Sequence, residues 1–353
     1  MGDKTAQVEA AQLPQALGQL KSLIVSGVKE AQSRPLTRRV LAVNQSSKPG
    51  MYKNEGLLFI KPELTRPSNT IKFEPIVDLV LAKMAEFKLE ILRVDVIGAS
   101  QLKDGNIMAS HYGVINAVAR NAMGNLSDSA RGKFKDNFGI AIESAKVLGG
   151  IEVLQKYPAF NPDSLDLLWQ NAKSAKLAGG TYCSKFMFDG EEVHVLNGFH
   201  PRQLEQFIEP GRSIVAIHVG CNTSWKDLRG KLIGATDPSK AEAGSIRSEL
   251  LKNKEKLGIP EVSQGYNGVH FSAGPIEGVV EMLRFFNDSD YSQKSLGQYG
   301  IGVQMMAGSL DAAKKVLGNP SVARDGKNVS VFDLTEEQDT DASLAMLKEL
   351  KLL

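Results

Sequence analysis

Cysteine is almost absent from this 353-residue chain, which holds only Cys183 and Cys221. Two thiols so far apart make neither a zinc-type pair nor a disulfide framework, and they suit a reducing, cytoplasmic compartment. A bias of charge is missing too. The net charge of +2 gives no reason to expect a nucleic acid or an anionic membrane as partner. No apolar run approaches the roughly 18 residues of a membrane-crossing helix. The opening "MGDKTAQVEAAQ" is too polar for a signal peptide, and Ala6 stands where a myristoylation signal has Ser or Thr. GxxxxGK followed by Ser or Thr does not occur, and "GQYGIGVQMMAG" (297–308) lacks the strand and spacing of a dinucleotide fingerprint. Any nucleotide held here is held without a P-loop.

What is present is ordinary globular material. An apolar fraction of 42% against 23% charged residues supports a full core, and the length suits two domains or one enlarged one. Within the first 33 residues, "LPQALGQLKSLIVSGVKEAQS" spaces Leu17, Leu20, Leu23 and Ile24 along one face of an amphipathic helix. The polar "NQSSKPGMYKNEG" (44–56) marks a boundary. "LLFIKPELT" then reads as a buried strand ending at Lys61-Pro62. "FEPIVDLVLAKMAEF" (73–87) reads as a helix with Ile76, Leu79, Val80 and Met84 inward, and "KLEILRVDVIGAS" (88–100) as a half-buried strand.

From about 115 to 180 the text turns helical and rich in Ala and Lys, and 115 to about 198 reads as an inserted subdomain. "NPDSLDLLWQNAKSAKLAGG" opens on an Asn or Asp cap and closes on Gly-Gly as a stop, and "YCSKFMFDGEEVHVLNG" is a hairpin about Asp189-Gly190. "RSIVAIHVG" (212–220) follows as a strand, "TSWKDLRGKLIG" (223–234) as a helix, and 235–266 as a loop-rich passage. In "YNGVHFSAGPIEGVVEMLRFF" (266–286), Pro275 suits the first position of a helix and Ser272 or Gly274 its cap. Ile276, Val279, Val280 and Leu283 form the apolar face, with Glu277, Glu281 and Arg284 off it. The chain closes on a helix, "DASLAMLKELKLL".

His270, one of only five histidines, stands just before that helix start, where backbone N–H groups and the dipole attract anions. The position suits phosphoryl chemistry, and it equally suits an imidazole satisfied inside a core. A second segment weighs in. "RGKLIGATDPSKAEAGSIRSEL" (229–250), "FIKPEL" and "NGVHFSAGPIEGVVEMLRFF" together resemble the nucleoside diphosphate kinase family. Thr236 to Arg247 and His270 to Glu281 are each eleven residues, as in the family, and in the same chain order. "ASQLKDGNIMASHYGVIN" adds a His111-Tyr112 pair like the family's.

The resemblance covers 56–118 and 205–287. It implies an α+β fold, a ferredoxin-like βαββαβ sandwich core with an inserted, largely helical subdomain. The chain would then comprise a helical extension and linker (1–55), two core segments (56–118 and 201–288) around the insert (119–200), and a C-terminal extension (289–353). It further implies transfer of a terminal phosphoryl group between nucleoside tri- and diphosphates through phospho-His270, with Mg²⁺ as cofactor. Lys61 and Arg247 would bind phosphates, Tyr112 and Thr236 make further contacts, and Asn267 lie on the ribose side. Glu281 and Ser272 would hold the imidazole. A homo-oligomer is implied, although the stretch from Arg247 to Asn267 is about ten residues longer than the family's, in a loop that builds its subunit contacts. Taken singly, Lys61 could merely end a strand, Glu281 pair with Arg284 on a wet face, and Arg247 bind a carboxylate.

Departures also stand in the sequence. Phe271 replaces the family's glycine, with the expectation that its ring narrows the pocket or shifts His270, and Ala273-Gly274 replace Asp-Ser. Gly230, flanked by Arg229 and Lys231, stands where a second arginine is expected, and Phe199 or Phe207 are the candidates for stacking on a base. A binding or regulatory protein on the same fold, weakly active or inactive, is the alternative reading.

Overall fold

The computed structural model describes residues 13–43, 50–286, 290–324 and 326–353; the first twelve residues and 44–49 of the polar boundary stretch lie outside these. In chain order the strands that matter here are β1 (Arg38–Val43), β2 (Asn54–Ile60), β3 (Glu90–Gly98), β4 (Val147–Gly149), β5 (Ala175–Ala178), β6 (Thr181–Phe188), β7 (Glu191–Leu196), β8 (Ser213–Cys221) and β9 (Val269–Phe271). Four helices are labelled α1 (Leu13–Ser33), α2 (Phe73–Glu86), α3 (Ile246–Lys252) and α4 (Pro275–Phe286). The chain divides into two compact units, one of Met1–Gly105 with Pro210–Leu353, the other Asn106–Glu209.

The first unit is a mixed α and β structure. Its five-stranded sheet runs β1-β3-β8-β2-β9, with every neighbouring pair antiparallel. β2 and β8 are buried at every position, as the unbroken apolar runs foretold. β3 was expected to alternate, yet every residue from Val94 onward is buried, because elements cover both faces of the sheet. One face turns Leu58, Ile60, Val94, Val96, Ile217 and Val219 into a core closed by side chains of α1, α2 and α3. In α2, Val77 is fully buried where Leu79 was expected to be, and Leu79 packs at the margin. Each full burial of this kind contributes about 2 kcal/mol. The opposite face is more polar. Alternation along the ladders places Glu55, Leu57, Phe59, Arg93, Asp95, His218 and His270 there together, and α4 packs against β2.

Three local readings change. β1, not anticipated, adds an edge beside β3. The 223–234 helix starts at Trp225 under a Ser224 cap, then widens into a π-helical turn over Leu228–Ile233, where Gly234 N–H reaches Arg229 O. The passage 235–266 is not all loop: Ser245 caps α3 by accepting from Ser248 N. No helix among the described residues is long and apolar enough to cross a membrane.

The second unit carries sheet as well as helices, so "largely helical" describes only part of it. Its four strands run β4-β7-β6-β5, with β4 parallel to β7 and the other pairs antiparallel. Asp189 (φ 51°) and Gly190 (φ 80°) turn β6 into β7, the two left-handed residues of a type I′ turn. Asn161 caps the helix Pro162–Gln170 as expected. Gly179-Gly180 does not stop that helix. It turns β5 into β6, with Gly180 at φ 66°.

Candidate active site

β9 is an edge strand, and its register sets Phe59 opposite His270. Both side chains therefore rise on the polar face of the sheet, where their rings stack with centroids 4.5 Å apart and 19° between planes. Val269 and Phe271 point the other way, into the main core. The Phe271 ring lies 5.6 Å from that of Trp225. The expectation that Phe271 narrows the pocket fails for that reason: a one-residue step along a strand puts it on the far face.

His270 retains 20% exposure, whereas Glu281 beside it retains 1%. Its Nε2 lies 2.9 Å from Glu281 Oε1. The other carboxylate oxygen accepts from Ser272 Oγ at 2.5 Å, and Leu57 N–H donates to that hydroxyl at 3.0 Å. Glu281 is thus not off the buried face of α4 as its spacing suggested. Eleven residues from His270, it comes round the helix to meet the strand that carries the imidazole. Ser272 N–H donates to Leu57 O at 3.0 Å, so the hydroxyl is fixed by the ladder itself.

Lys61 follows β2 two residues after Phe59 and caps the short helix Pro62–Thr65 in extended conformation. Its Nζ donates to Asn267 Oδ1 at 2.7 Å, and Asn267 Nδ2 donates to Thr236 O at 3.1 Å. Burial pulls the Lys61 ammonium down to about 8, with Glu63 opposing and Arg247 adding to the fall. Arg247 Nη1 donates to Gly234 O at 2.9 Å and Nη2 to Val269 O at 3.0 Å. Its Nε is buried with no partner. Burial first, and the Arg229 charge second, bring the guanidinium down to about 10.

Arg229, unassigned in the sequence, donates from Nη1 to Phe271 O at 3.2 Å. Val269 O and Phe271 O lie on the edge of β9 away from β2, so two guanidiniums cap the open edge of the histidine strand. Three further carboxylates sit close by. Glu277, in the first turn of α4, is half-buried; burial and the neighbouring Glu281 and Glu336 push its carboxyl up to about 8. Glu336 and Glu337 reach Arg229 at 3.6 and 3.8 Å from the C-terminal extension, a neighbour that no local pattern announces.

The structure places Lys61, Thr236, Arg247, Asn267, His270, Ser272 and Glu281 in the first unit, where Lys61, Asn267 and Thr236 form one hydrogen-bonded group, His270, Glu281 and Ser272 a second, and Arg247 holds the carbonyls of Gly234 and Val269. Thr236 is exposed and joins through its backbone carbonyl. Tyr112 belongs to the second unit, where its ring meets those of His111, His200 and Phe207 at 4.8, 6.1 and 6.0 Å. Phe199 packs on Trp169 and Tyr182 in that unit.

No family model matches the chain, and no curated protein matches it. Among solved structures it is similar to an NDP kinase from Pyrobaculum aerophilum, at 16% identity, covering 66% of this chain and 95% of that one, with a TM-score of 0.33. At that score the likeness carries no weight for function, and the residues have to carry it.

Proposed function

We propose that the first unit is a phosphotransferase of the nucleoside diphosphate kinase type, with β2-α2-β3 and β8-α3-β9 forming a ferredoxin-like core. The observation that carries this reading is the His270–Glu281–Ser272 chain, on a strand whose open edge is lined by Arg247 and whose neighbour, β2, ends at Lys61. A core histidine needs one partner. A nucleophile needs its ring held, a fixed tautomer and cations for the incoming phosphates.

With Nε2–H donating to Glu281, the neutral imidazole carries its lone pair on Nδ1. Nδ1 attacks the terminal phosphorus of a nucleoside triphosphate; the N–P bond forms as the bond to the bridging oxygen breaks, and the nucleoside diphosphate leaves. In the return step a terminal oxygen of a second diphosphate attacks the same phosphorus, and the N–P electron pair goes back to the ring. Lys61 and Arg247 place positive charge where the equatorial oxygens gather negative charge. Asn267 hydrogen-bonds Lys61 and aligns it. Lys61, Arg247 and Asn267 offer cations and an amide, which fit phosphate oxygens better than a divalent cation. Mg²⁺ would enter on the nucleotide, held by its phosphates, and neutralise their charge.

A slow or inactive nucleotide-binding protein is the second reading, and the carboxylates of Glu336 and Glu337 at Arg229 favour it. The two part on one experiment. The protein and its His270→Ala variant are incubated with Mg²⁺ and γ-labelled ATP, then treated with acid and with alkali. Acid-labile, alkali-stable label on the native chain alone, discharged by GDP or CDP, is the expected result. Label retained by His270→Ala would remove His270 from the reaction. Nucleotide binding without label would leave the second reading.

A further inference from the structure

The C-terminal extension lies directly on the histidine turn, and this contact accounts for the glycine at 274. Glu337 N–H donates to Ala273 O at 2.9 Å. A Cβ on Gly274 would stand 2.5 Å from Thr335 O and 3.1 Å from Glu336 Cα, so only glycine leaves room for that backbone. The segment is anchored just beyond. Asp339 Oδ1 accepts from Trp225 N–H at 2.7 Å and Asn54 Nδ2 at 2.8 Å, and Lys53 Nζ reaches Asp339 Oδ2 at 2.5 Å. Asn54 Oδ1 in turn accepts from Thr340 N–H at 3.0 Å.

Between these anchors stand two loose carboxylates. Glu336 and Glu337 remain 47% and 49% exposed, and they meet Arg229 at 3.6 and 3.8 Å, long contacts that solvent weakens. Arg229 itself is 24% exposed. Its carbonyl acceptor, Phe271 O, is two residues along β9 from Val269 O, which Arg247 holds, so the two acceptors lie roughly 7 Å apart on one strand edge. A polyphosphate drawn to Arg247 would come within reach of Arg229, where two carboxylates already stand.

We propose that residues 335–339 form a built-in inhibitory latch: the Glu336 and Glu337 carboxylates occupy Arg229 and compete with the phosphates of a nucleotide for it. The backbone of the latch stays fixed by Asp339 and Gly274, and only the two side chains swing away. The ligand class, a nucleoside polyphosphate, rests on the function proposed above.

The test is calorimetric binding of Mg²⁺-ADP at low salt to the full chain and to Glu336→Gln/Glu337→Gln, Arg229→Gln, and the three changes combined. The expected result is about three- to tenfold tighter binding to the double glutamine variant. The gain should shrink in high salt and vanish when Arg229→Gln is already present. Unchanged or weaker binding by the double variant overturns the latch alone. So does a gain that survives Arg229→Gln, since the carboxylates would then act as general repulsion. No binding by any variant, with circular dichroism unchanged, overturns the latch and the nucleotide reading together.

Discussion

Two histidines on the same face of one sheet make nearly the same contact and differ in everything around it. His218, on β8, sets Nε2 3.3 Å from Glu55 Oε2; His270, on β9, sets Nε2 2.9 Å from Glu281 Oε1. The side chains of His218 and Glu55 keep 7% and 4% exposure, in the middle of the sheet. Glu55 also accepts from Gly300 N–H at 3.2 Å, which ties the helix Gly300–Met306 to β2, and the His218 ring meets Tyr299 at 5.2 Å. That pair fastens the C-terminal helices to the sheet. Glu281 spends its second oxygen on Ser272 instead, beside a ring that keeps 20% exposure at the sheet's edge. A His–Glu pair is therefore no signature by itself. Under the proposed function, exposure and edge position are what would separate a fastener from a reagent.

The largest expected contrast is in stability. His218→Ala leaves the Glu55 carboxylate buried without the imidazole and should cost about 2–4 kcal/mol, read as a fall in the urea midpoint at unchanged slope. His270→Ala also takes the imidazole from a buried carboxylate, but Ser272 Oγ still donates to Glu281 and the lost ring is 20% exposed, so it should cost less, about 1–2 kcal/mol in the same assay. Equal losses would erase the distinction between the two sites.

Next in size is the Ser272 hydroxyl at Glu281. Ser272→Ala strands Leu57 N–H and one oxygen of Glu281, so we expect about 1–3 kcal/mol of destabilisation together with roughly tenfold slower phosphoryl transfer. A variant that loses stability but transfers at the native rate would show that Ser272 supports the sheet and not the ring.

The effect smallest at neutral pH is a pH slope. The Lys61 ammonium, held down to about 8, loses its charge in the free protein as pH rises through that value, so kcat/KM should fall about tenfold per pH unit above it. Lys61→Gln should be weaker and flat over the same range. Stability moves the opposite way. Between about 8 and the ordinary 10.5 the unfolded chain binds the proton and the folded chain does not, so Lys61 makes stability rise with pH across that window. A native profile as flat as that of Lys61→Gln would remove Lys61 from phosphate binding.

Much of this was legible in the sequence where the signal is local. Unbroken apolar runs gave β2 and β8, and Asp189-Gly190 gave a hairpin whose two left-handed residues few other pairs adopt without strain. The resemblance to the kinase family, with its two matching eleven-residue spacings, drew His270 and Glu281 together. Where local rules failed, something distant had won. Gly179-Gly180 reads alike as a helix stop and a strand turn, and pairing with β6 decided it. Counting apolar positions in α4 put Glu281 outside, because periodicity rates a carboxylate by polarity and cannot see the imidazole that satisfies it. β1 is too short and too charged to stand out before β3 pairs with it. Arg229, Glu336 and Glu337 meet from opposite ends of a long stretch, and no pattern within either segment announces the other.

One feature of the sheet bears on how the chain reaches this state. Gly98 faces Ser213 across the β3–β8 ladder, although roughly a hundred residues separate them. Had that intervening chain remained a coil, closing the ladder would be among the slowest steps available to the protein, since distant pairing must be completed before it is rewarded. A unit at 106–209 that folds on its own local contacts first turns the same closure into that of a short connection. In kinetic terms such a unit would act as a splint, and splint before sheet is the order of events we expect refolding to show.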